Sequence, residues 1–475
     1  MRYVQVGSDK VDYPVRSVVK YLPRGVGIEN DVYCLLIKMI SKPPTLLNDT
    51  SVEKDLAEHE IVRPMQIFFA ALDAPFPVTS GRRLRNWALL QALAAEGHHV
   101  TMVYFGEPGT SEVPRELQET CRNVDLVPQP DRSAGSSSTN WNRFIALSST
   151  LPYGAWRLRS LKFQAKIWEW LAKERFDAVI SDDIYVAANI PPLLRIPVIL
   201  NKHGIGTVVL ERFLKNERNP LKRMYGFVEL LKTRRWETSV CRHAELIMAC
   251  SQEDSSEINL LSPGARVTIV PNVIDVDQYQ PTPAVNNHTV VFVAYMGWYP
   301  NQDAVEYFVS SILPILRNLI PDVKFVAAGR NPPDDFRRRL SRVPGVEFTG
   351  TVPDIRPIVA NAAVSVVPLR IGTGTRLKIL EAAAMEKPVV STRVGAEGLN
   401  FADGTEIVLA DNPEVFAREI AALLDSPVRA HAIGVAARRH VQEQYSMPAL
   451  RIAVRQAVAV ITRRISENSQ FGLEQ

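Results

Sequence analysis

The stretch that most constrains this chain is residues 364–399, VSVVPLRIGTGTRLKILEAAAMEKPVVSTRVGAEGL. Residues 364–369 form a mostly apolar run of strand length that ends in a Gly/Thr-rich loop, Ile371-Gly372-Thr373-Gly374-Thr375. A helical pattern follows over 376–386, with Leu377, Leu380 and Ala384 on one face. Lys387-Pro388 stops it, and 389–393 reads as the next buried strand. Strand, Gly loop, helix, strand is a βαβ unit. Its loop falls at the carboxyl end of the strand, where open α/β sheets take their ligands. Glycines there let backbone N–H groups approach an anion, and a helix N-terminus adds partial positive charge. Arg376 and Lys378 bring full cations to a first turn whose dipole favours acids. Cations placed against the dipole point to an anionic ligand. Glu381 is the one carboxylate near the loop, placed to accept hydrogen bonds from sugar hydroxyls. Its bland alternative is a helix-surface pair with Lys378 at i, i+3.

The rest of the chain supplies the same rhythm. Its 475 residues, 46% of them hydrophobic and 22% charged, leave room for two or three ordinary domains. A net charge of +4 is too mild to argue for nucleic acid. Cys34, Cys121, Cys241 and Cys250 are scattered without C-x-x-C spacing, which speaks against zinc. No apolar run has the length of a bilayer span. Residues 1–62 lack periodicity and read as an amino-terminal extension of unclear structure. Strand character begins abruptly at Met65, so either a segment is appended there or the true start lies at Met65.

Residues 66–72 read as the first strand, followed by a Pro-rich loop ending Thr79-Ser80-Gly81. The helix over 82–96 shows Leu84, Trp87, Leu90 and Leu93 on one face and Gly97 as its cap. Arg82 and Arg85 either help to hold phosphate or are solvated. Residues 131–140, DRSAGSSSTN, have the composition of a flexible loop. The strand over 176–183 ends in Asp182 and Asp183; neighbours on a strand face opposite sides, so we read them as loop and cap residues rather than an acid/base pair. His203 follows the strand at 196–200 and lies beside Gly204, at the expected cleft. It is either a polar contact or proton partner at a reaction centre, or a satisfied structural histidine.

Residues 212–237 are basic and interleaved with Phe213, Leu221, Met224, Tyr225, Phe227 and Leu230. An anionic membrane surface and a solvated helix face fit this pattern equally. Asp275-Val276-Asp277 matches the Asp-x-Asp metal motif, but it sits on an interdomain hinge and we reject it as a metal site. In the second half, strands at 289–296, 323–328 and 346–349 end respectively in Gly297, in Gly329-Arg330 and in the 350–354 loop that holds Val352. A helix is expected over 303–320, and the last helix covers 448–464.

Together these residues resemble the family 4 retaining glycosyltransferases with the GT-B fold. That family carries Glu, seven residues and Glu, then an Ala-rich helix and a Pro-Val-Val strand. Here the second Glu is Glu381, whose implied role is to bind the ribose hydroxyls, while Thr373 stands where the first Glu would be. The resemblance implies an α/β GT-B fold: two Rossmann-like, doubly wound parallel-sheet domains facing across a cleft. An acceptor-binding domain is expected over 65–275, with the 447–465 helix packed back on it. A nucleotide-sugar-binding domain is expected over 285–445. The implied enzyme is a hexosyltransferase using a nucleotide-sugar donor and a glycan or lipid-linked sugar acceptor, with retention at the anomeric carbon and a role in surface polysaccharide synthesis. It implies no obligatory cofactor, no metal and no nucleic-acid partner, and a cytoplasmic place at the inner face of the plasma membrane. By the same resemblance His203, Arg376 and Lys378 are catalytic. The donor would be held by Gly81, Gly297, Arg330, Val352, Gly372, Thr373, Gly374, Thr375 and Glu381. A sugar-nucleotide epimerase or hydrolase, or a non-catalytic sugar-nucleotide-binding protein, is the alternative on the same scaffold.

Overall fold

Strand β1 (Gln66–Ala71) shows how the first core is built. Ile67, Phe69 and Ala71 enter one apolar layer, while Phe68 and Ala70 enter the opposite one. All of them are buried, as a parallel strand covered on both faces requires. The strand belongs to a sheet completed by β2 (His99–Gly106), β3 (Asn123–Pro128), β4 (Ala178–Asp182), β5 (Val198–Asn201), β6 (Leu246–Ala249) and β7 (Val267–Ile269). Every pairing is parallel, in the order β3-β2-β1-β4-β5-β6-β7. The second sheet runs β10-β9-β8-β11-β12-β13, again all parallel. Its strands are β8 (Thr289–Val293), β9 (Lys324–Ala328), β10 (Val346–Gly350), β11 (Val364–Val367), β12 (Val389–Ser391) and β13 (Val408–Leu409). The same alternation recurs here, with Val290 and Phe292 in the larger core and Val291 in the smaller.

This is the GT-B architecture. The computed structural model describes residues 63–471 apart from 108, 111, 131–137, 192–193 and 282–286. The expected extension over 1–62 therefore lies outside the described residues. The described residues belong to one compact unit.

Each sheet has a point where the strand order reverses: between β1 and β4 in the first, and between β8 and β11 in the second. Open α/β sheets bind ligands outside the carboxyl ends at such points. The helices that matter for the site are α1 (Gly81–Ala95), α2 (Gly206–Asn216), α3 (Pro220–His243), α4 (Leu377–Ala384) and α5 (Met447–Phe471). The terminal helix α5 returns to the first sheet. Its Leu450, Val454, Val458 and Ile461 join the core layer of Ile67 and Phe69. Arg451 and Arg455 donate to Glu96, at the C-terminus of α1, at 2.8 and 2.9 Å.

Local chemistry moved several boundaries. Helix α4 starts at Leu377, with Arg376 in extended conformation as its cap, because the arginine turns back into its own loop. The basic segment over 212–237 is two helices, broken where Asn219 caps α3 and Pro220 occupies its first turn. A helix over Ser138–Ala146 replaces the end of the expected 131–140 loop. The expected 303–320 helix is Tyr299–Tyr307 and Leu313–Leu319 joined by a wider π turn at Phe308–Ile312. Pro314, which has no N–H to donate, follows that turn.

Candidate active site

The site is where the loops after β5 and β11 meet. Ile205 N donates to Thr373 Oγ1 at 2.8 Å, so the first-sheet loop rests directly on the Gly/Thr loop of the second. Two glycines permit this approach. A Cβ on Gly204 would lie 2.7 Å from Thr373 Oγ1, and one on Gly374 would lie 2.5 Å from the His203 carbonyl oxygen. Gly374 also has a φ of +75°, in the left-handed region that favours glycine. Asn272, on the crossing segment between the sheets, donates to the Thr375 hydroxyl. Thr373 is thus engaged by backbone of the first domain.

His203 stands at this contact. Its Nε2 lies 2.5 Å from Asp182 Oδ1, and the other Asp182 oxygen accepts the Leu72 amide at 3.1 Å. Lys202, one residue earlier, points the other way and is fully buried. Its Nζ is 2.5 Å from Glu237 Oε1 and 3.6 Å from Asp183 Oδ1. Burial alone would lower the Lys202 ammonium, but the two carboxylates outweigh it and raise the value. Glu237 also accepts the Gly206 and Thr207 amides and the Thr207 hydroxyl. It pins the first turn of α2, and with it the loop that presents His203.

Arg376 is buried and faces inward. Its guanidinium donates to the Thr373 and Gly374 carbonyls, the latter at 2.5 Å, and so shapes the Gly/Thr loop from beneath. Burial lowers it to about 10, still cationic at neutral pH. Lys378 is half-buried, with Nζ 3.1 Å from Asn301 Oδ1 and 4.3 Å from the centre of the Phe292 ring. Burial, reinforced by Arg376, pushes its ammonium down to about 7. Among the described residues it has no carboxylate within ion-pairing distance. Glu381 accepts from the Tyr279 hydroxyl at 3.3 Å; burial raises its carboxyl above the ordinary value, against the pull of Tyr279 and Lys378.

The first domain also reaches over with α2. Arg212 donates to the Gly372 carbonyl and forms a two-pronged pair with Glu397, at 2.5 and 2.7 Å. Phe213 sets its ring edge-on to Tyr299 at 5.5 Å. These residues therefore turn to the cleft and not to the outer face of the basic segment.

Of the other sequence-derived positions, Gly81 opens α1, where a Cβ would meet Leu377 at 2.9 Å. Gly297 turns the chain after β8, against the Tyr295 ring. Arg330 stacks 5.3 Å over that ring and donates to the Thr79 carbonyl of the first domain at 2.9 Å. Val352 follows the edge strand β10, with β9 and β8 between that strand and β11. Arg85 is buried and bonded to Asn201, Val270 and Asn272, which makes it a brace beneath the crossing segment instead of a phosphate ligand. Asp275 accepts from Asp277 N and Gln278 Nε2, forming a turn.

Sequence reasoning missed Asp182, Glu237, Arg212 and Glu397. Asp182 had a usable signal: an acid ending one strand and a histidine just past the end of another that could lie beside it.

Two family models match in tandem: Glycosyltransferase Family 4 over residues 84–278 and Glycosyl transferases group 1 over 287–426. The chain is a family 4-like group 1 glycosyltransferase. As such it is a transferase enzyme; the first matched segment covers β2 to β7 of the first sheet and the second covers all of the second sheet. Solved glycosyltransferases share the fold. Sucrose-phosphate synthase of Thermosynechococcus elongatus superposes with a TM-score of 0.63 at 15% identity, over 86% of this chain and 100% of that one. Anabaena HepE in complex with UDP and glucose gives 0.55 at 16% identity, over 86% and 99%. A 44.6 kDa Klebsiella pneumoniae protein of unassigned role from a cps region is 21% identical over 367 residues, 75% of this glycosyltransferase and 90% of that protein.

Proposed function

We propose that this glycosyltransferase moves a hexosyl group from a nucleotide-sugar to a glycan or lipid-linked sugar acceptor, with retention at the anomeric carbon. The observation that carries the reading is Lys378. A half-buried amine, depressed to about 7 and lacking a carboxylate partner among the described residues, is a site that gains its charge when an anion arrives. It sits one helical turn from Glu381, which in this reading binds the ribose hydroxyls. The second domain then holds the donor diphosphate, and Arg376 acts by fixing the loop while adding its buried charge. Gly81, Gly297 and Arg330 border the phosphates, and Val352 borders the base.

In this reading the departing diphosphate takes the acceptor's proton on the face it leaves. No enzyme nucleophile is required, and catalysis is positioning plus stabilisation of charge on the diphosphate. His203 faces the sugar from the first domain, which receives the acceptor. Anabaena HepE was solved with UDP and glucose, so a UDP-sugar is the first donor to test. The Klebsiella relative from a cps region supports a surface polysaccharide as product.

We also place the enzyme at the cytoplasmic membrane face. Among the described residues no single helix is long and apolar enough to cross a membrane. Helix α3, however, buries both its acids, Glu229 and Glu237, and exposes Leu221, Met224, Phe227 and Leu231 beside Arg223, Arg234, Arg235 and Arg242. An apolar stripe flanked by cations suits an anionic lipid surface.

The test is a thermal-shift panel of UDP, GDP, ADP, CMP and NAD with their sugar conjugates. A ligand at a hundred times its Kd stabilises by about 2.7 kcal/mol. One nucleoside diphosphate should stabilise the wild type and do so less in Glu381→Ala. A response to NAD alone, or to nothing, would reject the transferase site.

A further inference from the structure

The pair formed by Asp182 and His203 has a directionality that goes beyond contact. Parallel pairing of β4 with β5 sets Asp182 beside Asn201, so the ring two residues later falls within reach of the carboxylate. Asp182 is fully buried, with one oxygen on His203 Nε2 and the other on the Leu72 amide. Burial alone would raise its carboxyl. The imidazole, Arg82 and the Leu72 amide outweigh that and hold it below the ordinary range. An ionised carboxylate only accepts hydrogen bonds, so Nε2 must carry the proton. In the neutral ring the lone pair then lies on Nδ1, and on protonation the second proton goes there too. Here Nδ1 has no protein partner among the described residues, and the side chain remains 14% exposed where the two loops meet.

We propose that Asp182 is a positioning residue that fixes His203 as the Nε2–H tautomer, leaving Nδ1 as the atom that exchanges a hydrogen bond or proton with a hydroxyl of the donor sugar or acceptor. The identity of that hydroxyl rests on the glycosyl-transfer reading; the tautomer rests on the local geometry.

The Leu72 amide makes the isosteric variant informative. In Asp182→Asn that amide still requires an acceptor, so the Asn oxygen turns to it and the Asn NH2 faces the ring. Nε2 must then accept, and the proton moves to Nδ1. Histidine labelled with 15N in the ring reads this directly, with the His203 signals assigned by their loss in His203→Gln. The wild type should show Nε2–H and Asp182→Asn should show Nδ1–H. UDP-induced stabilisation should be equal in the two, while UDP release from UDP-glucose falls about a hundredfold in kcat with KM little changed. Should Asp182→Asn fold poorly, Asp182→Ala should give a mixture of tautomers. An Nδ1–H ring in the wild type, or one tautomer common to wild type and variants, overturns the proposal. So does a reversed tautomer with an unchanged rate, since Nδ1 would then take no part in the step. Absence of any UDP-induced stabilisation in the wild type rejects the UDP-sugar reading instead, and the ring spectra still decide the tautomer.

Discussion

Replacing Lys378 by Met should flatten the pH dependence of UDP binding. The ammonium stands at about 7 in the free enzyme, against an ordinary 10.5, because burial and Arg376 disfavour its charge. A bound diphosphate favours the charged form and raises the value, so binding takes up a proton above pH 7. The terminal phosphate of UDP, with a second pKa of about 6, is already ionised there and adds little. The protonated fraction of Lys378 falls from about a half at pH 7 to about one in a hundred at pH 9. UDP affinity should therefore weaken roughly fifty-fold over that window, about 2 kcal/mol, provided the bound value exceeds 9. Titration calorimetry at pH 7, 8 and 9, in buffers of different ionisation enthalpy, measures both the slope and the proton uptake. Lys378→Met should bind weakly with no such slope. Equal slopes in the two proteins, or a flat wild type, would refute the argument. The sign for stability follows from the same shift. The folded protein binds fewer protons than the unfolded chain between about pH 7 and 10.5, so this lysine destabilises most below 7 and its penalty fades as pH rises. Lys378→Met should accordingly raise Tm at neutral pH in the absence of ligand.

Arg376→Ala should lower kcat/KM by about a hundredfold or more, at least about 2.7 kcal/mol of transition-state stabilisation. Because its guanidinium also holds the Thr373 and Gly374 carbonyls, the loss should appear together with weaker UDP stabilisation; near-normal turnover would remove Arg376 from the site. Reversing the charges of Arg234, Arg235 and Arg242 should reduce co-sedimentation with vesicles containing anionic lipid. The same protein should keep its UDP thermal shift, and undiminished sedimentation would reject α3 as the docking face.

The βαβ rhythm and the Gly/Thr loop at the end of β11 were legible because both are local. The apolar run of β1 and the Gly, Pro and cap residues between elements depend on neighbours in the chain. So does the position of Glu381 on the helix that follows the loop. The likeness to family 4 rests on this kind of short-range pattern. The side chains that organise the site were not legible in the same way. Arg376 reads as a free cation at a helix start, yet it turns inward because the tight loop offers it carbonyls. Arg212 reads as part of a basic surface, yet it spans to Glu397.

What the sequence determined by itself was therefore the βαβ succession around β1 and β11, and which of the loops there fall at carboxyl ends. What only the tertiary structure decided was which side chains share a partner. Asp182 and His203 are 21 residues apart, Ile205 and Thr373 are 168 apart, and Arg212 and Glu397 are 185 apart. The first pair depends on β4 lying beside β5, and the other two on the sheets meeting across the cleft. Periodicity reports which face a residue occupies; it carries no information about what arrives opposite that face, which is set by strand order and by how the two sheets come together.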